Sequence, residues 1–223
     1  MERLSEHACF GGTQGFYRHD SDVIGLPMKF GVYVPPQAAQ GPVPVLVYLA
    51  GLTCTEETFA IKAHAQEHAA RHGLMLVTPD TSPRGTGVAG ADAAWDFGDG
   101  AGFYLDATQA PWAQRWRMAS YVTQELQAII AREFPADITR TGLFGHSMGG
   151  HGALTLALKN PGLYRSVSAI APIAAPWPPI EWPKRPVRVM SAGNSRARSA
   201  CSSCVTYDAM RQRGAQGACV ASR

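Results

Sequence analysis

The run Gly145-His146-Ser147-Met148-Gly149 sets one serine between glycines two residues away on either side. A serine hydroxyl can carry acyl transfer when a tight turn presents it to a carbonyl carbon, and this spacing suits such a turn. Leu143-Phe144 ahead of it reads as the end of a buried strand, and Ala153-Leu154-Thr155-Leu156-Ala157-Leu158 behind it as a buried helix. Strand, sharp turn and helix together are what a nucleophile elbow requires, and glycine at 145 and 149 lets the flanking segments pass closely. The reading predicts strained backbone at Ser147, its side chain exposed at the carboxyl edge of a sheet, and helix amides suited to an oxyanion. The plain alternative is a glycine-rich turn that happens to hold a serine, and the apolar pattern on both sides argues against it.

Other residue types near the pentad or elsewhere suggest chemistry less strongly. His146 and His151 flank the serine, but the residue before an elbow serine points away from the site and His151 lies a helical turn inside. Both are therefore read as packed, hydrogen-bonded side chains and not as the general base. His64, His68 and His72 recur every fourth residue and read as a solvated helix face; no carboxylate or thiol completes a shell, so no metal site is expected. Cys54 is either a thiol close to the site or a small buried hydrophobe. Cys201, Cys204 and Cys219 lack a fourth ligand and carry no zinc or redox assignment.

The elements that must position the serine are legible in the apolar pattern. Residues 27 to 36 alternate, with Phe30, Val32 and Val34 on one face, and end at Pro35-Pro36, as a strand with a stop would. Pro44-Val45-Leu46-Val47-Tyr48-Leu49 is continuously apolar, the pattern of a central parallel strand buried on both faces. Thr55-Glu56-Glu57-Thr58 offers a cap and an acidic first turn for a helix, and Leu74-Met75-Leu76-Val77 leads a further strand into Thr78-Pro79-Asp80. Met118, Val122, Leu126, Ile129 and Ile130 mark one face of an amphipathic helix ending near Phe134-Pro135, and residues 164 to 171 read as another strand. Residues 81 to 112 have no clear period and are rich in Gly, Asp and aromatics, which predicts a functional surface insertion or an excursion packed by its own aromatics. Strands alternating with helices predict an α/β fold with a mostly parallel sheet covered by helices on both faces.

At 223 residues and 46% hydrophobic content the chain suits one substantial α/β domain. It shows no apolar window long enough to span a membrane, and Met1-Glu2-Arg3-Leu4-Ser5-Glu6-His7 lacks the features of a signal peptide, so a cytosolic protein with reduced thiols is expected. The net charge of +3 conceals a division. Residues 1 to 175 carry 12 basic and 15 acidic side chains, net −3, whereas residues 176 to 223 carry 8 and 2, net +6. A basic tail often contacts nucleic acid or membrane, but this one also holds Trp177, Trp182 and five prolines without periodicity, which suits neither partner.

Ala50-Gly51-Leu52-Thr53-Cys54-Thr55-Glu56-Glu57, Pro79-Asp80-Thr81-Ser82-Pro83-Arg84-Gly85, Trp95-Asp96-Phe97-Gly98 with Gly102-Phe103-Tyr104, and the segment from Gly145 to Leu154 together resemble the S-formylglutathione hydrolase (esterase D) family. So does Lys159-Asn160-Pro161-Gly162-Leu163-Tyr164-Arg165-Ser166, and the resemblance runs from about residue 4 to Ala175. It implies an α/β-hydrolase fold and a cytosolic, cofactor-free enzyme that hydrolyses S-formylglutathione to formate and glutathione in formaldehyde detoxification. Small activated esters are further expected substrates, and a homodimer is an expected assembly. Carried over, the resemblance makes Ser147 the nucleophile and the backbone amides of Leu52 and Met148 the oxyanion hole. Cys54, Trp95, Asp96 and Tyr104 are candidates for lining the acyl or glutathione pocket, with structural packing of the loop as their alternative.

The chain departs from that pattern at one place. A serine hydrolase of this fold needs an acid and then a histidine after the serine. No histidine follows His151, and the only acids after Ser147 are Glu181 and Asp208, so the triad's acid and histidine find no counterpart. From Pro176 the sequence turns rich in Arg, Pro, Ala, Ser and Cys, the mix expected of a GC-rich coding sequence read out of frame. The expected organisation is thus an incomplete, C-terminally truncated hydrolase domain over residues 1–175 and a disordered or frameshifted tail over 176–223. The sheet should lack its last strands and present an exposed edge, and the chain should show little or no esterase activity. A general carboxylesterase of the same fold and a non-catalytic remnant are the competing functional readings.

Overall fold

The computed structural model describes residues 1–173 and 218–221. Its strands and helices are β1 (Glu2–Cys9), β2 (Gly12–Asp20), β3 (Pro27–Val34), β4 (Val43–Leu49), α1 (Glu56–Lys62), α2 (Ala65–His72), β5 (Met75–Pro79), α3 (Met118–Ser120), α4 (Leu126–Glu133), β6 (Ala136–His146), α5 (Met148–Lys159), β7 (Ser166–Ile170) and β8 (Ala218–Ala221). The strands form one sheet in the order β1-β2-β3-β5-β4-β6-β7-β8. From β5 onward every pairing is parallel; β1, β2 and β3 join antiparallel at one side.

Alternate residues of the central strands divide the core between the two faces. Val45, Val47 and Leu49 of β4 pack with Met75 and Val77 of β5 and Leu143 of β6 on one side. Leu46 and Leu76 pack on the other against Phe59 of α1 and Ala69 of α2. Each such aliphatic side chain contributes roughly 1.5–3 kcal/mol by leaving water. The first face is covered by the predicted amphipathic helix, whose Met118, Val122, Leu126, Ile129 and Ile130 are all buried. That helix is a composite: α3 and α4 are joined by a π turn at Tyr121–Glu125.

Two features differ from the sequence reading. The β1–β2 hairpin was not anticipated. Its two-residue loop, Phe10 (φ 45°) and Gly11 (φ 74°), has the double positive φ of a primed hairpin turn. β1 is exposed along most of its length, so it lacks the apolar alternation that betrays a half-buried strand. At the opposite side, β8 pairs parallel with β7, Val167 to Ala218 through Ile170 to Ala221. The sheet thus continues beyond the strand where a bare edge was expected. The remaining tail features, Trp177, Glu181, Trp182, Cys201, Cys204 and Asp208, lie outside the described residues. No described helix is long and apolar enough to cross a membrane.

Candidate active site

β6 ends at His146, α5 begins at Met148, and Ser147 between them has φ 57° and ψ −118°. A non-glycine residue at positive φ persists only where its surroundings over-determine it. Here the Ser147 amide donates to the Ile170 carbonyl at 3.0 Å, and its carbonyl accepts from the amides of His151 at 3.1 Å and Ile173 at 3.3 Å. The end of β7 and the first turn of α5 therefore hold the bend from both sides. The glycines work by close approach: a Cβ on Gly149 would lie 1.9 Å from the Leu49 carbonyl oxygen, and one on Gly145 would lie 2.2 Å from that of Gly149. Neither position has room for any side chain. Ser147 itself is half-buried, and its hydroxyl has no hydrogen-bond partner among the described residues.

The loop after β4 runs directly beside this bend. A Cβ on Gly51 would lie 3.5 Å from Ser147 Cβ, so Gly51 lies against the serine. Among the described residues the amides of Leu52 and Met148 donate to no carbonyl or side chain. The loop is held in place by several contacts. Tyr104 is fully buried; its hydroxyl donates to the Ala50 carbonyl at 2.9 Å, and its ring fills the space beside Gly152 of α5. The Thr53 amide donates to Gly100 at 2.9 Å, with Thr53 itself at φ 66°. Arg84 forks onto Asp80, at 2.7 Å through Nε and 2.8 Å through a terminal nitrogen, and the same nitrogen donates to the Cys54 carbonyl at 2.9 Å. Asp80 is 4% exposed and its hydrogen bond raises the Arg84 pKa further.

The candidate pocket residues separate on this geometry. Tyr104 lies beneath the loop as a strut and does not line an open pocket. Trp95 is 66% exposed on the surface of the long loop, which packs through its own Phe97, Trp112 and Trp116. Asp96 is buried, with one carboxylate oxygen unpartnered among the described residues. Cys54 is a half-buried free thiol whose backbone carbonyl accepts from Arg84 and Thr81.

The histidines separate too. His151 is half-buried, meets the Thr155 hydroxyl at 3.4 Å, and burial lowers its pKa. His146 was expected to be packed and is exposed. It lies on the same face of β6 as Phe144, which packs with Tyr48 and Phe59, and two residues further along the strand it passes the end of that cluster. His64 sits at φ 54° before α2 begins, so it does not share a helix face with His68 and His72; it meets Phe10 edge-on and Glu67 at 3.3 Å. Sequence reading missed the Asp80–Arg84 clamp. Its signal was a pair of opposite charges four apart just past a strand, in a segment that proline keeps from being helical.

A serine at positive φ on a strand-to-helix bend, at the carboxyl edge of a helix-covered and mostly parallel sheet, defines the α/β-hydrolase class. The chain belongs to the esterase family: the family model described as "Putative esterase" matches residues 21–212, a span that continues past Ala175. It is 58% identical over 175 residues to the S-formylglutathione hydrolase of Paracoccus denitrificans and 54% identical over 176 residues to that of Mus musculus. These alignments cover 78% and 79% of the chain and 62% of each relative, so the chain spans about three fifths of their length. The solved structure of an S-formylglutathione hydrolase from Agrobacterium tumefaciens superposes with a TM-score of 0.77 at 51% identity, covering 79% of this chain and 64% of that one.

Proposed function

We propose that this chain carries the nucleophile-bearing part of an S-formylglutathione hydrolase. In this reading the Ser147 oxygen attacks the formyl carbon, and the negative charge that develops on the carbonyl oxygen is received by the Leu52 and Met148 amides. The carbon–sulfur bond then breaks, glutathione leaves as the thiol, and water releases formate from the formyl-serine. Each amide donor contributes about 3 kcal/mol to such a transition state. The observation that carries the reading is the strained Ser147 bend held against Gly51, with the Leu52 and Met148 amides unengaged among the described residues. The relatives' names supply the acyl group and thiol.

Removing the serine proton calls for a histidine oriented by an acid. With none after His151 in this sequence, turnover by the chain alone should be close to background. Residues 176–223 hold no histidine, although the family model matches as far as residue 212 and β8 pairs with β7.

The test is a chimera in which residues 176–223 are replaced by the C-terminal segment of the Paracoccus denitrificans relative. Hydrolysis of S-formylglutathione, faster than that of 4-nitrophenyl acetate and lost in Ser147→Ala, is the expected result. A folded chimera that hydrolyses only the acetate ester would make this a general carboxylesterase; one that hydrolyses neither would leave a non-catalytic remnant.

A further inference from the structure

Three strands along the same rim from Ser147, a cavity of about 490 Å³ opens between the start of β3, the residues after β5 and the start of α1. Strand register builds it: Arg18 of β2 pairs with Lys29 of β3, and the Asp80 amide donates to the Lys29 carbonyl at 3.1 Å. At about 4.8 Å per strand, Lys29 stands roughly 15 Å from the elbow, on the edge where ligands of open α/β sheets bind.

The charges lining this cavity are of two kinds. Some are already engaged, Asp80 with Arg84 and Arg18 with Glu2. Three are not: Glu56, which is 4% exposed, and Glu57 and Lys29, which are both exposed; none of them forms an ion pair among the described residues. Burial and the nearby Asp80 raise the Glu56 pKa, and Lys29 is the cation that opposes the rise. An anion and a cation that share a cavity without reaching one another form a receptor for a ligand carrying both charges a few bonds apart. A free α-amino acid end has that form, and a desolvated carboxylate gains most from a charged donor.

Glutathione presents such an end on its γ-glutamyl residue, separated from the sulfur by the cysteinyl unit. Resting on the thioester reading above, we propose that this cavity takes the γ-glutamyl end of the substrate, the ammonium on Glu56 and the α-carboxylate on Lys29. Arg84, clamped between Asp80 and the Cys54 carbonyl, then joins the wall of this subsite to the loop that carries the Leu52 amide.

Binding can be measured without turnover, using S-methylglutathione, a thioether that cannot be hydrolysed, titrated into the full chain by calorimetry. Lys29→Gln and Glu56→Gln should each weaken binding about tenfold. An analogue with a glutaryl group in place of γ-glutamyl, which lacks the ammonium, should bind the parent about tenfold more weakly than S-methylglutathione and bind Glu56→Gln no more weakly than S-methylglutathione does. Lys29 is at the surface, so its variant reports even if Glu56→Gln disturbs folding. Equal affinity in parent and both variants, an analogue that binds as tightly as S-methylglutathione, or no binding by the parent would overturn the assignment. The chimera separates the two readings: if it hydrolyses S-formylglutathione with a KM that Lys29→Gln leaves unchanged, the thioester reading stands and this subsite falls.

Discussion

The Tyr104 hydroxyl donates to the Ala50 carbonyl oxygen at 2.9 Å, while the ring of the same tyrosine lies where a side chain at Gly152 would have to go. One buried residue thus ties the loop after β4 to the helix behind Ser147. Tyr104→Phe keeps the ring and leaves the carbonyl unpaired, and should cost about 1 kcal/mol of stability in urea unfolding. Tyr104→Ala also opens a cavity and should cost about 3–5 kcal/mol.

Gly149 leaves even less tolerance, because a Cβ there would lie 1.9 Å from the Leu49 carbonyl oxygen. Backbone on both sides would have to move. Gly149→Ala should lower the melting temperature more than Gly85→Ala, since Gly85 meets nothing within 4 Å even though its φ of 60° costs the new side chain some strain. Equal shifts in the two variants would mean that the bend is less tightly closed than described.

The Asp80–Arg84 clamp buries a carboxylate whose partner is only partly exposed. Arg84→Ala should destabilise by about 2–4 kcal/mol, much of it the penalty of an unpaired buried charge. Adding Asp80→Asn should recover part of that loss, and a double-mutant cycle of the two reads the coupling directly.

His19 is 9% exposed, with its Nε2 3.1 Å from the Tyr121 hydroxyl, and His151 is half-buried beside Thr155. Burial pulls both pKa values below the ordinary 6.5. The unfolded chain therefore takes up protons first as pH falls. Stability from these groups is complete above about pH 6.5 and declines below it toward the lowered folded values. Unfolding free energy measured from pH 7.5 downward should drop across that range, and His19→Gln should flatten the drop. A profile that rises on acidification would contradict the stated sign.

Part of this arrangement can be read from the sequence because its signals are local. Gly145, Ser147 and Gly149 reveal the bend by their spacing; the clash at Gly145 arises from Gly149 four residues away, whereas the clash at Gly149 arises from Leu49 of β4. β4 and β5 show as apolar runs because both their faces are covered. The β1–β2 hairpin escapes notice because Glu2–Cys9 pairs along one side and leaves most of its side chains in water. Tyr104 looks like a pocket residue until the long loop folds it beneath Ala50, and Lys29 and Glu56 reach one cavity only through the antiparallel pairing of β3 with β5. Such relationships depend on register, which no short window of sequence contains.

The most direct measurement of the central claim is peptide mapping by mass spectrometry after treating the chimera with a fluorophosphonate. The account predicts one phosphonyl adduct per chain, on the peptide that contains Ser147, and none in Ser147→Ala. A chimera that hydrolyses S-formylglutathione yet carries its adduct on another residue, or keeps its activity after Ser147→Ala, would contradict it.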